Sequence, residues 1–153
     1  MKRTSLLVTC LILIYNWSNA QINPAKIDII RDSFGVPHIF GKTDPDVAYG
    51  LAWAHAEDDF VTIQQSLMAG KSMLAQYQGK KGASIDYIIH LLRIPELVEE
   101  KYESELSPAF KKLLEGYAAG LNAYATAHPK EVLLKKIFPV TPKDMVQYSV
   151  LQL

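Results

Sequence analysis

A chain of 153 residues, 49% of them apolar, is long enough to bury one core. Its 16 basic and 16 acidic residues cancel and are interleaved, which excludes a charged face built to attract nucleic acid or an anionic membrane. Cys10 is the single cysteine, so the chain holds no disulfide framework and no zinc site made of several thiolates.

The first twenty residues have the three-part pattern of a secretory signal. Lys2 and Arg3 precede an apolar run from Leu6 to Trp17, and Ser18-Asn19-Ala20 offers a small-x-small cleavage site. A membrane span needs about 20 apolar residues, and this run is shorter. The expectation is cleavage after Ala20 and a periplasmic or secreted protein. Cys10 sits inside the signal, where Thr9 makes a poor lipoprotein acceptor context, and reads as apolar filler. The mature chain, 21–153, is then free of thiols.

After a short lead-in, Ile27, Ile29 and Ile30 partly alternate with Lys26, Asp28 and Arg31, which reads as a strand. Asp32-Ser33-Phe34-Gly35 is turn chemistry, with Gly35 able to take a positive φ. Val36 to Phe40 forms the return strand, and Pro37 places it at an edge. A β-hairpin over about 25–41 follows.

Thr43-Asp44-Pro45-Asp46 announces a helix: a capping hydroxyl or carboxylate, a first-turn proline, and acid at the positive end of the dipole. Ala48, Ala52, Ala56, Phe60, Ile63 and Leu67 then mark one buried face of a single long helix. Its alanines allow another element to approach closely. Gly70 weakens or ends it, and Gly79-Lys80-Lys81-Gly82 reads as an exposed turn. Asp86 to Arg93 is apolar without a sharp period, and helix is favoured there. Ser107-Pro108 opens a further helix whose stripe runs Phe110, Leu113, Leu114, Tyr117, Leu121, Tyr124, until His128-Pro129 closes it. Thr141-Pro142-Lys143-Asp144 starts the last helix. Its apolar residues continue through Val150, Leu151 and Leu153 with no stop signal, the pattern of a fragment of a longer chain.

No constellation for catalysis emerges from spacing. The histidines are His38, His55, His90 and His128, and the sequence contains no G-x-S-x-G elbow. His55 and Asp59, four apart, could share a helix face, but two ligands do not make a metal site; an intrahelical hydrogen bond is expected instead. Glu57-Asp58-Asp59 point about 100° apart on a helix and should not converge on one atom. At least one of the three is expected to be buried against a cation. Gly70-Lys71-Ser72 lacks the earlier glycine of a phosphate loop, where Gln65 stands.

A set of ordered motifs carries more information than any of these. It comprises Arg31-Asp32-x-Phe34-Gly35-Val36-Pro37-His38-Ile39, Tyr49-Gly50, Ala56-Glu57-Asp58, and Leu74-Ala75 with Gly79. Gly116-Tyr117-Ala118-x-Gly120-x-Asn122 and Phe138-x-x-Thr141-Pro142 complete it. In order and spacing the set resembles the start of the penicillin acylase family, the N-terminal nucleophile hydrolases that cleave linear amides. One departure is Asp58-Asp59, where many members have Asp-Arg, so a local charge partner is changed.

The resemblance implies an α+β fold: an N-terminal hairpin followed mainly by helices, an incomplete part of an αββα architecture. It implies an exported precursor that cuts itself into α and β chains, with a serine at the new β N-terminus attacking the amide. That serine would lie beyond Leu153, so catalytic, cofactor-binding and metal-ligating residues in this chain are expected to be none. A structural calcium is possible in the full-length protein, with ligands outside this segment. The partners implied are the chain's own β chain and a small N-acyl substrate: a penicillin, a cephalosporin side chain, an acyl-homoserine lactone or a lipopeptide. The alternative that the apolar stripes permit by themselves is a non-enzymatic exported helical binding protein.

Overall fold

The computed structural model describes residues 22–150. The expected export signal with Cys10, and the apolar Leu151 and Leu153, lie outside the described residues. A 3-10 turn, Pro24–Lys26, leads into strands β1 (Asp28–Arg31) and β2 (Pro37–Phe40). Six helices follow: α1 (Asp44–Gly70), α2 (Leu74–Gln78), α3 (Lys80–Leu91), α4 (Ile94–Glu105), α5 (Pro108–Ala127) and α6 (Pro142–Val150). Among the described residues no helix is long and apolar enough to cross a membrane.

The hairpin is antiparallel, with Ile29 opposite Ile39 and Arg31 opposite Pro37. Its turn closes on Asp32, whose Oδ1 accepts from the N–H groups of Phe34 (2.8 Å) and Val36 (3.0 Å). Gly35 supplies the left-handed residue, φ +83°. Period-two alternation puts Ile29 and Ile39 on one face. That face lies on α1 at Gly50, where an added Cβ would sit 2.6 Å from Ile39 Cγ2. Only a bare backbone lets the sheet come this close.

The capping signals act as read. Thr43 N–H donates to Asp46 Oδ2 (3.1 Å) and Asp46 N–H to Thr43 Oγ1 (3.4 Å), a reciprocal box at the start of α1. Ser107 Oγ accepts from Phe110 N–H, and Thr141 forms the same kind of box with Asp144 at α6. Each such cap contributes about 1 kcal/mol.

The main core lies between α1 and α5. Ala52 and Ala56 of α1 cluster with Ala118 of α5, while Gly116 and Gly120 of α5 come close against Pro45 and against Tyr49 and Ala52. Phe60, Leu67, Met68, Leu121, Tyr124, Ile137 and Val140 extend the same cluster. A smaller cluster of Ile89, Ile94, Val98, Tyr102 and Leu114 ties α3 and α4 to the start of α5. Lys71 at the end of α1 reaches the buried Asp144 carboxylate at 2.9 Å, which pins α6 to α1.

Three features differ from the sequence reading. The long helix is broken at Asp59, which has φ −156° and ψ 72°. The apolar spacing runs on across the break, so periodicity did not register it. The expected turn at 79–82 contracts to Gly79 alone (φ +61°), and Lys80 is already helical. Helix α4 was not foreseen, because Glu96, Glu99, Glu100, Glu103 and Glu105 dilute its apolar stripe to Ile94, Val98 and Tyr102.

Candidate functional site

The polar residues gather where the hairpin meets the break in α1. Arg31, at the end of β1, extends over the helix. Its Nη2 lies 3.1 Å from Glu57 Oε2 and 2.8 Å from Asp58 Oδ1, while Nη1 donates to Gly35 O at 2.8 Å. Adjacent carboxylates therefore do meet on one nitrogen: a long guanidinium reaches both although the two residues diverge on the helix. Glu57 and Asp58 stay substantially exposed, so the cation is found but the expected burial is not. Hydrogen bonds to Glu57 and then Asp58 push the Arg31 pKa up. Glu57 is further held by Trp53 Nε1–H at 3.0 Å.

Asp59 takes a different part. At the break its Oδ1 accepts from Thr62 N–H at 3.0 Å, capping the second half of α1. Hydrogen bonding by Thr62 holds its carboxyl below the usual range. The expected His55–Asp59 bond is absent. His55 Nδ1 instead contacts Tyr117 Oη on α5 at 3.1 Å.

Next to the break the 128–140 connection is strapped down by two side-chain amides. Gln64, fully buried, donates to Phe60 O (3.2 Å) and Glu131 O (3.0 Å) and accepts from Leu133 N–H (2.8 Å). Asn122 donates to Val140 O (2.9 Å) and accepts from Val140 N–H (2.7 Å). Spacing passed over Gln64. The available signal was a polar residue on the apolar stripe between Phe60 and Leu67, a position it can occupy only with partners. Together these segments frame an open pocket of about 340 Å³ lined by Glu57, Asp58, Asp59, Phe60, Lys130 and Glu131.

Chemically this pocket is occupied with itself. Arg31 pairs with Glu57 and Asp58, Asp59 is spent on a cap, and Glu131 Oε2 accepts from Tyr124 Oη–H at 3.1 Å, so none of these carboxylates is aimed at a nucleophile. His38 Nε2 stands 3.4 Å from Asp32 Oδ2 on the exposed turn. The Asp32 carboxyl is held low first by Val36 N–H, then by Phe34 N–H and His38. His128 stacks on Tyr124 with ring centroids 4.0 Å apart and contacts the Tyr124 carbonyl oxygen through Nδ1. No described serine stands within hydrogen-bond distance of any of these imidazoles. Among the described residues no three His, Cys, Asp or Glu side chains group as metal ligands. The structure thus brings Arg31, Glu57 and Asp58 together and leaves His38, His55 and His128 apart.

A second concavity is apolar. A groove of about 340 Å³ runs between α1, α5 and α6, walled by Ile63, Leu67, Leu114, Tyr117, Met145 and Tyr148. Burial raises the Tyr117 phenol pKa, so that hydroxyl is neutral and serves as a hydrogen-bonding wall group.

The likeness to known proteins extends well beyond this junction. A family model described as penicillin amidase matches residues 26–152. The chain belongs to the penicillin amidase family. Penicillin G acylase of Escherichia coli is 28% identical over 97% of this chain and 19% of its own length. An acyl-homoserine lactone acylase PvdQ of Pseudomonas fluorescens is 27% identical over 85% of this chain and 18% of its own. A solved thermostable penicillin G acylase from Alcaligenes faecalis superposes with a TM-score of 0.67 at 23% identity, covering 81% of this chain and 70% of that one. This penicillin amidase family member therefore shares the fold of that acylase chain over 81% of its length. It spans about a fifth of the length of the curated relatives it matches.

Proposed function

We propose that this chain is the N-terminal portion of a secreted acylase precursor that hydrolyses the amide bond of small N-acyl substrates. The observation that carries the reading is a pairing. The family match spans residues 26–152, while the chain covers only about a fifth of the length of its curated relatives. The role of this segment is scaffold and partial pocket wall.

The chemistry belongs to residues past Leu153. A serine at the N-terminus of a β chain, with its own α-amino group as general base, would attack the carbonyl, and donors of that chain would hold the oxyanion. Self-cleavage into two chains is supported by comparing lengths. The solved penicillin G acylase chain is only modestly longer than this one, whereas the curated relatives are about five times as long. The segment 1–20 would direct export and be removed after Ala20. A structural calcium would draw on carboxylates beyond this segment, since Glu57 and Asp58 are engaged by Arg31 and Asp59 caps the second half of α1.

The test is expression of the complete reading frame in a bacterial host. Mass spectrometry of the exported product should find a chain starting at Gln21 and a second chain starting with serine. Hydrolysis is then followed with phenylacetyl amides and with long-chain acyl-homoserine lactones, which separates the two activities named for the relatives. An exported, uncut protein that hydrolyses neither would sink the reading and favour a helical binding protein.

A further inference from the structure

The 128–140 connection folds back along α5 and frames an open cavity of about 350 Å³. Its walls are apolar: Ala125 on α5, and Pro129, Val132, Phe138 and Pro139 on the connection. The frame is fixed at both ends. Gln64 holds Glu131 O and Leu133 N–H, Asn122 holds both backbone groups of Val140, and Ile137 is wholly buried between them. The cavity is therefore built into the fold and is not slack in a loop. Its volume falls at the small end of the roughly 300–1,000 Å³ found for small-molecule sites.

The charge on this cavity has one sign. Among the described residues of the lining, Lys135 alone carries a formal charge. It forms no ion pair or side-chain hydrogen bond among the described residues, unlike Lys71, Lys111 and Lys143. The polar neighbours are engaged elsewhere, Asn122 with Val140 and the Thr126 hydroxyl proton with Asn122 O at 2.8 Å. Lys130 and Lys136 flank the cavity in sequence. Glu131, the one acid between 129 and 140, turns its carboxylate to Tyr124 Oη. The local field thus favours an anion.

We infer that this cavity binds a small organic monocarboxylate, its apolar body seated between Phe138 and the two prolines and its carboxylate on Lys135. A single cation beside apolar walls suits one negative charge on an apolar body. A phosphate would need several converging donors, and the lining offers none beyond the lysine. Phe138 and the prolines present ring faces and edges to a flat group, which favours an aryl body. The site stands apart from the amide chemistry proposed above, and its test does not depend on that chemistry.

The experiment irradiates the complete exported protein with 3-(4-azidophenyl)propionate and maps the labelled peptides by mass spectrometry. Label is expected within 122–139. Free 3-phenylpropionate should displace it with a half-effect near ~1 mM, the affinity a ligand of this size reaches. Acetate, which lacks the body, and 3-phenylpropan-1-ol, which lacks the charge, should fail at about ten times that concentration. Lys135→Gln alters an exposed side chain without a partner, so circular dichroism should find the fold intact. Label in the 122–139 peptide should then fall roughly tenfold, the weight of one hydrogen bond between charged groups, and Lys135→Arg should restore most of it. A 122–139 peptide free of label would overturn the inference. So would displacement by the alcohol as readily as by the acid, or undiminished label in the folded Lys135→Gln protein. An amide-hydrolysing site elsewhere labels its own peptides, so that activity and this cavity are read separately.

Discussion

Replacing Gly120 with alanine tests the closest approach in the core. In an isolated helix this change is favourable, because glycine is about 1 kcal/mol worse than alanine in a helix interior. Here an added Cβ would stand 2.4 Å from the Tyr49 carbonyl oxygen and 2.8 Å from Ala52 Cβ. Ordinary contacts begin at about 3.5 Å, so α5 must retreat from α1 by roughly 1 Å. The obstacle is mostly backbone and cannot rotate away. Overpacking of this kind costs about 1–3 kcal/mol, and a backbone clash belongs at the upper end. After the helix-propensity gain is subtracted, a net loss of about 2 kcal/mol is expected. Gly116→Ala should behave alike, since its Cβ would meet Pro45 O at 2.3 Å. Urea unfolding of the purified protein, followed by circular dichroism, reads the effect as a lower midpoint. If Gly120→Ala instead raised the midpoint, helix propensity would govern the site and the close α1–α5 contact would be wrong.

Three further outcomes follow from individual groups. Gln64→Leu should destabilise by about 3 kcal/mol, because Glu131 O and Leu133 N–H lose their buried partner; faster proteolysis within 128–134 is the second readout. Ser72→Gly should stabilise by about 1 kcal/mol, since Ser72 sits at φ +53° and its buried Oγ has no partner among the described residues. An unchanged or lower melting temperature would show that the hydroxyl has a use. Asp32 and Asp59 carry depressed pKa values. Their contribution is therefore complete above the unfolded aspartate pKa of about 3.9 and is lost as pH falls through the lower folded values. Asp59→Asn should flatten that acid limb of the stability profile, and an unaltered limb would remove Asp59 as its source.

The sequence by itself determined what depends on near neighbours. Thr43, Ser107 and Thr141 with their following prolines fixed three helix starts, because a cap is made within four residues. Asp32 and Gly35 fixed the hairpin turn for the same reason. The ordered motif set fixed the family. Only the tertiary structure decided how distant segments share partners. Arg31 gathers Glu57 and Asp58 across 26 and 27 positions of chain, and His55 turns from Asp59 to a tyrosine 62 residues away. Gln64 waits for a carbonyl 67 residues on. The break at Asp59 belongs to this class too. Helical spacing of apolar residues survives a single non-helical residue, so the break leaves no mark in the pattern. What holds it open is the local cap onto Thr62 together with the clamp from a strand nearly thirty residues earlier.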